Sequence, residues 1–199
     1  VIIDPYSEKL GNKLPAFSAD LLLQAYNYGD KDSVKSVSLK DNQNGFIINS
    51  PGEYEVKNIF VQAINLRSKT DFEEDYSLQN LFKIEAEGIS IGHLGNISET
   101  LTSEQLNLLE KVDILFVPVG GNKVLSAAKA VKVINQIEPK IVIPMYYKLD
   151  TLDSEFDMVD GFLKEMGVSD LKEEDNLKIT KSYLQNENLV IVRLKALVK

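Results

Sequence analysis

The feature that most restricts what this chain can fold into is a strand–helix–strand succession in its second half. "DILFVPVGG" (residues 113–121) is an apolar run that ends in a glycine pair. "SAAKAVKVINQIEP" (126–139) then sets Ala127, Ala130, Val131, Ile134 and Ile137 at helical spacing and stops at Pro139. "KIVIPMYYK" (140–148) is a second apolar run. Short unbroken apolar runs read as strands covered on both faces, and a helix with one apolar stripe has to lie against something. Upstream the signals are almost all strand: residues 1–3, residues 21–25, and "GFIINSPGEYEVKNIFVQAI" (45–64), read as two strands broken at Ser50-Pro51-Gly52. "NLFKIEAEGISIGHLG" (80–95) reads as a hairpin turning at Glu87-Gly88. Between the two regions, "TSEQLNLLEKV" (102–112) opens with a capping box from Thr102 to Gln105 and puts Leu106, Leu109 and Val112 on one face. Downstream, "DSEFDMVDGFLKEMG" (153–167) predicts an amphipathic helix showing Phe156, Val159, Leu163 and Met166, closed by Gly167. "LKITKSYLQNENLVIVRL" (177–194) predicts a hairpin around residues 186–188. Strands first and helix–strand alternation after make a mixed α/β sheet protein with helices on its faces, expected as one domain over residues 1–199.

Composition removes several function classes. The formal charge is −8, whereas a nucleic-acid partner needs clustered Lys and Arg. No run of eighteen apolar residues offers a membrane span, and no secretory leader is visible, so a cytoplasmic protein is expected. There is no Cys, hence no disulfide, thiolate ligand or thiol nucleophile. "DFEED" (71–75) and "LKEEDN" (171–176) read as solvated loops. "VIIDPY" starts as a strand without an initiator Met, so the chain is expected to begin inside the fold.

The candidate site lies in "ADLLLQAYNYGDKDS" (19–33), an apolar strand that runs straight into a polar loop. Such edges carry the chemistry of α/β proteins. The loop presents Tyr26, Tyr28, Asp30 and Lys31, where a metal or acid–base site would want histidine.

Seven segments taken in order resemble the metallo-β-lactamase fold: "IIDPY", "ADLLLQAYNYGD", "SPGEYEVKNIFVQAI", "GISIGHLGN", "LTSEQL", "VDILFVPVGG" and "EPKIVIPMYYK". Within that fold they look like the small bacterial branch of zinc-dependent hydrolases related to ascorbate-6-phosphate lactonase. The resemblance covers residues 2–148. It implies an αββα sandwich with a dinuclear metal site at one sheet edge, and strands ahead of "IIDPY", which are expected to be missing from this sequence. The family's first ligand motif, His-x-His-x-Asp-His, falls on Tyr26, Tyr28, Asp30 and Lys31. A further His belongs in the loop after "PGEYEV", near Arg67 and Ser68; the bridging Asp falls on Asn96 and the last His on Tyr146. Six of the seven ligand positions are thereby replaced, with only Asp30 kept. A catalytic zinc takes about three protein ligands from His, Cys or carboxylate. This chain has one His and no Cys. A phenol ionises only near pH 10, and Lys31 offers Asp30 an internal cation.

The resemblance therefore implies a metal-free, non-catalytic homologue, without the family's zinc, that serves binding or assembly. Its partner would be another protein or a small anionic ligand, and the branch's habit of assembly suggests a homo-oligomer. The alternative is a hydrolase of phosphorylated or lactone-like small molecules, with Asp30 and His93 as acid–base groups and Lys31, Tyr26, Tyr28 and Tyr146 as donors. His93, at the end of "ISIGHL", reads either as a general base or as a histidine satisfied at a strand end. Gly120-Gly121 reads as an anion nest or as a plain turn. In Glu53-Tyr54-Glu55 the carboxylates flank a tyrosine on the other strand face, a structural pattern. Asp4 reads as a turn cap near the site loop and Ser126 as a helix N-cap.

Overall fold

The computed structural model describes residues 1–5, 17–25, 37–39, 45–66, 79–150, 154–169, 171–185 and 188–196. Fourteen strands run in chain order among them: β1 Ile2–Ile3, β2 Phe17–Ala19, β3 Leu21–Leu23, β4 Val37–Leu39, β5 Phe46–Ile48, β6 Gly52–Val56, β7 Ile59–Asn65, β8 Asn80–Ala86, β9 Ile89–His93, β10 Ile114–Pro118, β11 Ile141–Met145, β12 Glu173–Glu174, β13 Val190–Ile191 and β14 Arg193–Leu194. The helices are α1 Ser103–Leu108, α2 Ala127–Ile137 and α3 Val159–Glu165, with a 3-10 turn at Tyr183–Gln185.

A seven-stranded sheet in the order β13-β11-β10-β9-β8-β7-β6 forms the centre. The half from β9 to β13 is parallel and the half from β9 to β6 antiparallel. The parallel strands therefore all end at one edge, and the antiparallel β8 begins there. A smaller parallel sheet, β1-β3-β5, lies against the antiparallel half. Leu21, Leu23 and Ile48 from the small sheet meet Val61, Ala63, Phe82 and Ile84 from the large one in a single apolar cluster. On the opposite face α2 and α3 bury Ala130, Val133, Ile134, Ile137, Val159, Phe162 and Leu163 over Leu115, Val117 and Val142. Full burial of a side chain such as Phe82 or Phe162 contributes about 1.5–3 kcal/mol. The layering is helix, sheet, sheet, the mixed α/β architecture expected from the strand–helix–strand succession.

The strand origins of the parallel half are held together by Asp113. Its Oδ2 accepts from the Ser90 N–H (3.0 Å), its Oδ1 pairs with Lys140 Nζ (3.0 Å), and its carbonyl accepts from the Lys140 and Ile141 N–H groups. One residue, through its side chain and its carbonyl, thus ties the starts of β9, β10 and β11.

Several local expectations stand. Thr102 and Gln105 form the capping box of α1, and Ser126 caps α2 through the Lys129 N–H. The β8–β9 turn is at Glu87-Gly88, both at positive φ (54° and 75°), which suits a two-residue hairpin. Three expectations need correction. The stretch 45–64 holds three strands, and its tight hairpin turns at Lys57-Asn58 (φ 51° and 63°); Ser50-Pro51-Gly52 is where the chain leaves the small sheet for the large one. The helix predicted from residue 153 begins only at Val159. Upstream of it the Asp157 N–H donates to the Gly120 carbonyl and the Asp157 carbonyl accepts from the Lys148 N–H (2.9 Å), so tertiary pairing holds this segment extended. The terminal hairpin does not form: β13 pairs parallel with β11 and β14 parallel with β12.

Gly161 sits inside α3 with nothing within 4 Å of where a Cβ would be. Gly161→Ala is expected to stabilise the fold by about 0.5–1 kcal/mol, because glycine costs helix-interior entropy that alanine does not. Urea unfolding measures it.

Candidate functional site

The edge where β9, β10 and β11 end and β8 begins is built on the end of β3. Ala25 is fully buried, and both of its backbone groups are fixed. Its N–H donates to Asp4 Oδ1 (2.7 Å), and its carbonyl accepts from the Asn80 N–H (2.6 Å). The Asp4 N–H in turn donates to the Leu23 carbonyl (3.0 Å), with Asp4 in the left-handed region at φ 44°. The turn cap expected at Asp4 is thus a clamp on the strand that launches the site loop.

Asn80 completes the clamp. It is 0% exposed, and its Nδ2 donates to the carbonyls of Gln24 (3.3 Å) and Asn49 (3.0 Å). With both amide hydrogens committed to carbonyls, the orientation of the side chain is fixed by its partners. Its Oδ1 is buried without a hydrogen-bond partner. Gly95 lies directly against this junction: a Cβ there would stand 3.0 Å from both the Ala25 Cβ and the Asn80 carbonyl oxygen, and its φ is 59°. Asn96, the residue expected at the bridging-ligand position, follows at once, and its Oδ1 is also buried and without a partner.

His93 ends β9, buried with Phe82 and Phe116 as its register neighbours and 5.9 Å from the Phe116 ring. Its Nδ1 accepts from the Gly95 N–H (3.2 Å), which places the proton of the neutral ring on Nε2. Burial lowers its pKa from 6.5 to about 4. The imidazole is neutral at pH 7, with its basic nitrogen shaping the turn before Asn96.

Tyr146, the residue expected at the last-ligand position, follows β11 at φ 54°, unusual for a bulky residue. Its ring meets Phe156 edge-on at 6.0 Å. A Cβ at position 120 would collide with the Tyr146 carbonyl oxygen and lie 2.9 Å from the Phe156 Cβ, so only glycine fits. Gly121 (φ 63°) donates its N–H to the Leu125 carbonyl (2.9 Å) and accepts from Val124 (2.9 Å), so the pair forms a turn with that N–H already committed. Glu53 accepts from Gln62 Nε2 (3.0 Å) across the β6–β7 pair, and the Tyr54 hydroxyl donates to the Ser50 carbonyl (3.0 Å), both structural ties.

Tyr26, Tyr28, Asp30 and Lys31 lie outside the described residues, as do Arg67 and Ser68. The described members of the site, His93, Asn96 and Tyr146, converge on one edge with Asp4 and Asn80. Sequence reading missed Asn80 and Phe156. A polar residue opening an apolar run carries no special mark, and Phe156 sits at helical spacing outside any helix. Among the described residues no group of three or more His, Asp or Glu could hold a metal ion. The described donors, Asp4, His93, Asn96 and Tyr146, are one carboxylate, an imidazole that accepts at Nδ1, an amide and a phenol, and these by themselves do not supply the ligands of a dinuclear metal centre.

Two predictions follow from this geometry. Well above pH 6.5 His93 is neutral whether folded or unfolded. As pH falls toward 4, the unfolded chain takes up a proton that the folded chain refuses, so stability is lost across that window. The unfolding free energy of the wild type relative to His93→Asn is expected to narrow by on the order of 2–3 kcal/mol between pH 7 and pH 4, read from urea titrations at both. Gly120→Ala is expected to destabilise by about 3 kcal/mol or more through the clash with Tyr146, seen as a lowered Tm.

Residues 1–146 match the family model described as "Beta-lactamase superfamily domain". A UPF0173 metal-dependent hydrolase from Thermococcus onnurineus is 27% identical over 173 residues, covering 74% of this chain and 76% of that protein. Another, from Carboxydothermus hydrogenoformans, is 33% identical over 66 residues, and this chain spans only 29% of its length. Among solved structures, a metallo-β-lactamase superfamily chain from Thermotoga maritima superposes with a TM-score of 0.76 at 24% identity, covering 97% of this chain and 89% of that one. That likeness shows the fold.

Proposed function

The chain belongs to the beta-lactamase superfamily, and we propose that it is a metal-independent member whose former metal edge serves binding in place of hydrolysis. The observation that carries this reading is Asn96. At the bridging position, where two metal ions would share a carboxylate, the chain places a neutral amide whose oxygen is buried. An amide oxygen brings no negative charge to offset two dications. Tyr146 replaces an imidazole at the other described position, and a single His cannot supply the nitrogen ligands that the motif asks for. His93 accepts the Gly95 N–H at Nδ1, which leaves its Nε2 protonated in this tautomer. What remains at the edge is a rigid frame of hydrogen-bonding groups, suited to holding a small molecule or a partner's side chain.

The competing reading is metal-dependent hydrolysis, the activity in the names of the curated relatives. Elemental mass spectrometry separates the two. On protein purified without chelator, with and without added zinc, manganese and iron, metal is expected well below one ion per chain. Stoichiometric metal that is lost on Asp30→Ala would overturn the metal-independent reading.

A further inference from the structure

We propose that the open edge of β6 is a docking site for an extended segment of another protein, one whose residues alternate between basic and apolar. The segment adds a strand to the seven-stranded sheet beyond β6. This surface is separate from the former metal edge, and the inference does not depend on whether that edge holds metal.

The backbone supplies the first observation. β6 is the last strand of its sheet among the described residues. The Lys57-Asn58 turn has both residues at positive φ and makes a two-residue hairpin, so Val56 and Ile59 exchange the hydrogen bonds that close it. Bonded and non-bonded pairs alternate along an antiparallel ladder. Tyr54 therefore bonds to β7 as Val56 does, while the N–H and C=O groups of Glu53 and Glu55 point away from the sheet. Both glutamates are exposed.

The side chains supply the second. Tyr54 and Val56 share the face that packs on the cluster between the sheets, and Glu53 and Glu55 share the other. Beside Tyr54 lies Phe46 of β5, with ring centroids 6.0 Å apart, and Phe46 is still 44% exposed. β5 ends the small sheet as β6 ends the large one, so the apolar layer between the sheets reaches the surface here. On the other face, Glu53 accepts from Gln62 Nε2, a partner without charge, and no described residue forms an ion pair with Glu55. The cations nearby are engaged elsewhere: Lys83, in line with Glu53 and Gln62 across the sheet, pairs with Glu85 (3.6 Å), and Lys57 pairs with Asp20 (2.5 Å).

Charges guard many sheet edges against chance pairing. Here the guard has one sign. A second copy of β6 laid antiparallel about Tyr54 sets Glu53 opposite Glu55 of the other copy, and like charges directly opposite are destabilising. A strand with Lys or Arg at alternate positions meets a carboxylate at each, and its intervening apolar residues lie over Tyr54 and Phe46. Main-chain bonds then give affinity and the alternating side chains give selectivity.

The probe is a capped peptide of about eight residues, alternating Lys and Val, a length suited to one strand. Its binding to the full chain is read by titration calorimetry, against a peptide of the same composition with its Lys and Val in two blocks. Saturable binding at one peptide per chain is expected, about tenfold tighter than for the block peptide. Reversing both charges, Glu53→Lys with Glu55→Lys, is expected to weaken it by about tenfold or more. Phe46→Ser is expected to weaken it about threefold. Glu55→Pro removes the outward N–H at a place where an edge strand tolerates proline, and is expected to lose roughly tenfold more than Glu55→Gln, which removes only the charge. No saturable binding, equal binding of the block peptide, or full affinity after the charge reversal would each overturn the site. Sedimentation of the free chain tests the other occupant: a dimer that Glu55→Pro dissolves gives the edge to a second copy and overturns the proposal as well.

Discussion

The arrangement at the site edge depends on how the end of β3 is held. The apolar cluster between the two sheets presses them together but does not fix where β3 stops, because hydrophobic contact is non-directional. Direction comes from Asp4, Ala25 and Asn80. The carboxylate takes the Ala25 N–H, the Asn80 backbone takes the Ala25 carbonyl, and the Asn80 amide reaches two further carbonyls, one on each neighbouring strand exit. A neutral hydrogen bond contributes roughly 0.5–1.5 kcal/mol and one to a charged group roughly 1.5–3 kcal/mol. Here their larger effect is on geometry. Every one of these bonds ends on main chain, so the place from which the following loop departs is set without reference to the side chains that loop carries.

The same separation recurs at the other described position. Tyr146 keeps a left-handed backbone although nothing about a tyrosine favours it. Its neighbours impose it: the Gly120 main chain lies against its carbonyl, the Val119 N–H donates to the Met145 carbonyl (3.0 Å), and the extended segment through Asp157 bridges Gly120 and Lys148. Strain of this kind persists only where surrounding structure over-determines it. The edge thus presents a phenol and an amide on a backbone fixed by its surroundings.

Which parts were legible in the sequence follows from where the determining forces lie. The Glu87-Gly88 turn and the Thr102 cap were readable because the residues needed, a glycine at φ 75° and a hydroxyl three residues before a glutamine, are the local cause of the structure. Lys57-Asn58 makes the same kind of turn without a glycine, next to a conspicuous Ser-Pro-Gly, and was passed over. Residues 154–158 misled for the opposite reason. Phe156 fits a helical stripe, but the backbone partners of the adjoining Asp157 are Gly120 and Lys148, thirty-seven and nine residues away, and no local pattern announces them. At the site, the positions of His93, Asn96 and Tyr146 came from the resemblance. Their present roles came from geometry: the spent Nδ1, the unmatched Oδ1 and the strained backbone. Asn80 was invisible because its importance lies in what Gln24 and Asn49 need.

Asp113 gives this design a wider consequence. It binds the strand origins at the edge opposite the site, so much of the cohesion of β9, β10 and β11 is secured far from the residues that would do chemistry. An exposed side chain in the loops at the opposite edge can then change without touching these ties, although Gly120 and the Asp4–Ala25–Asn80 clamp cannot. The two ends of the parallel strands thus answer to different demands, one to holding the sheet together and the other to what the loops present.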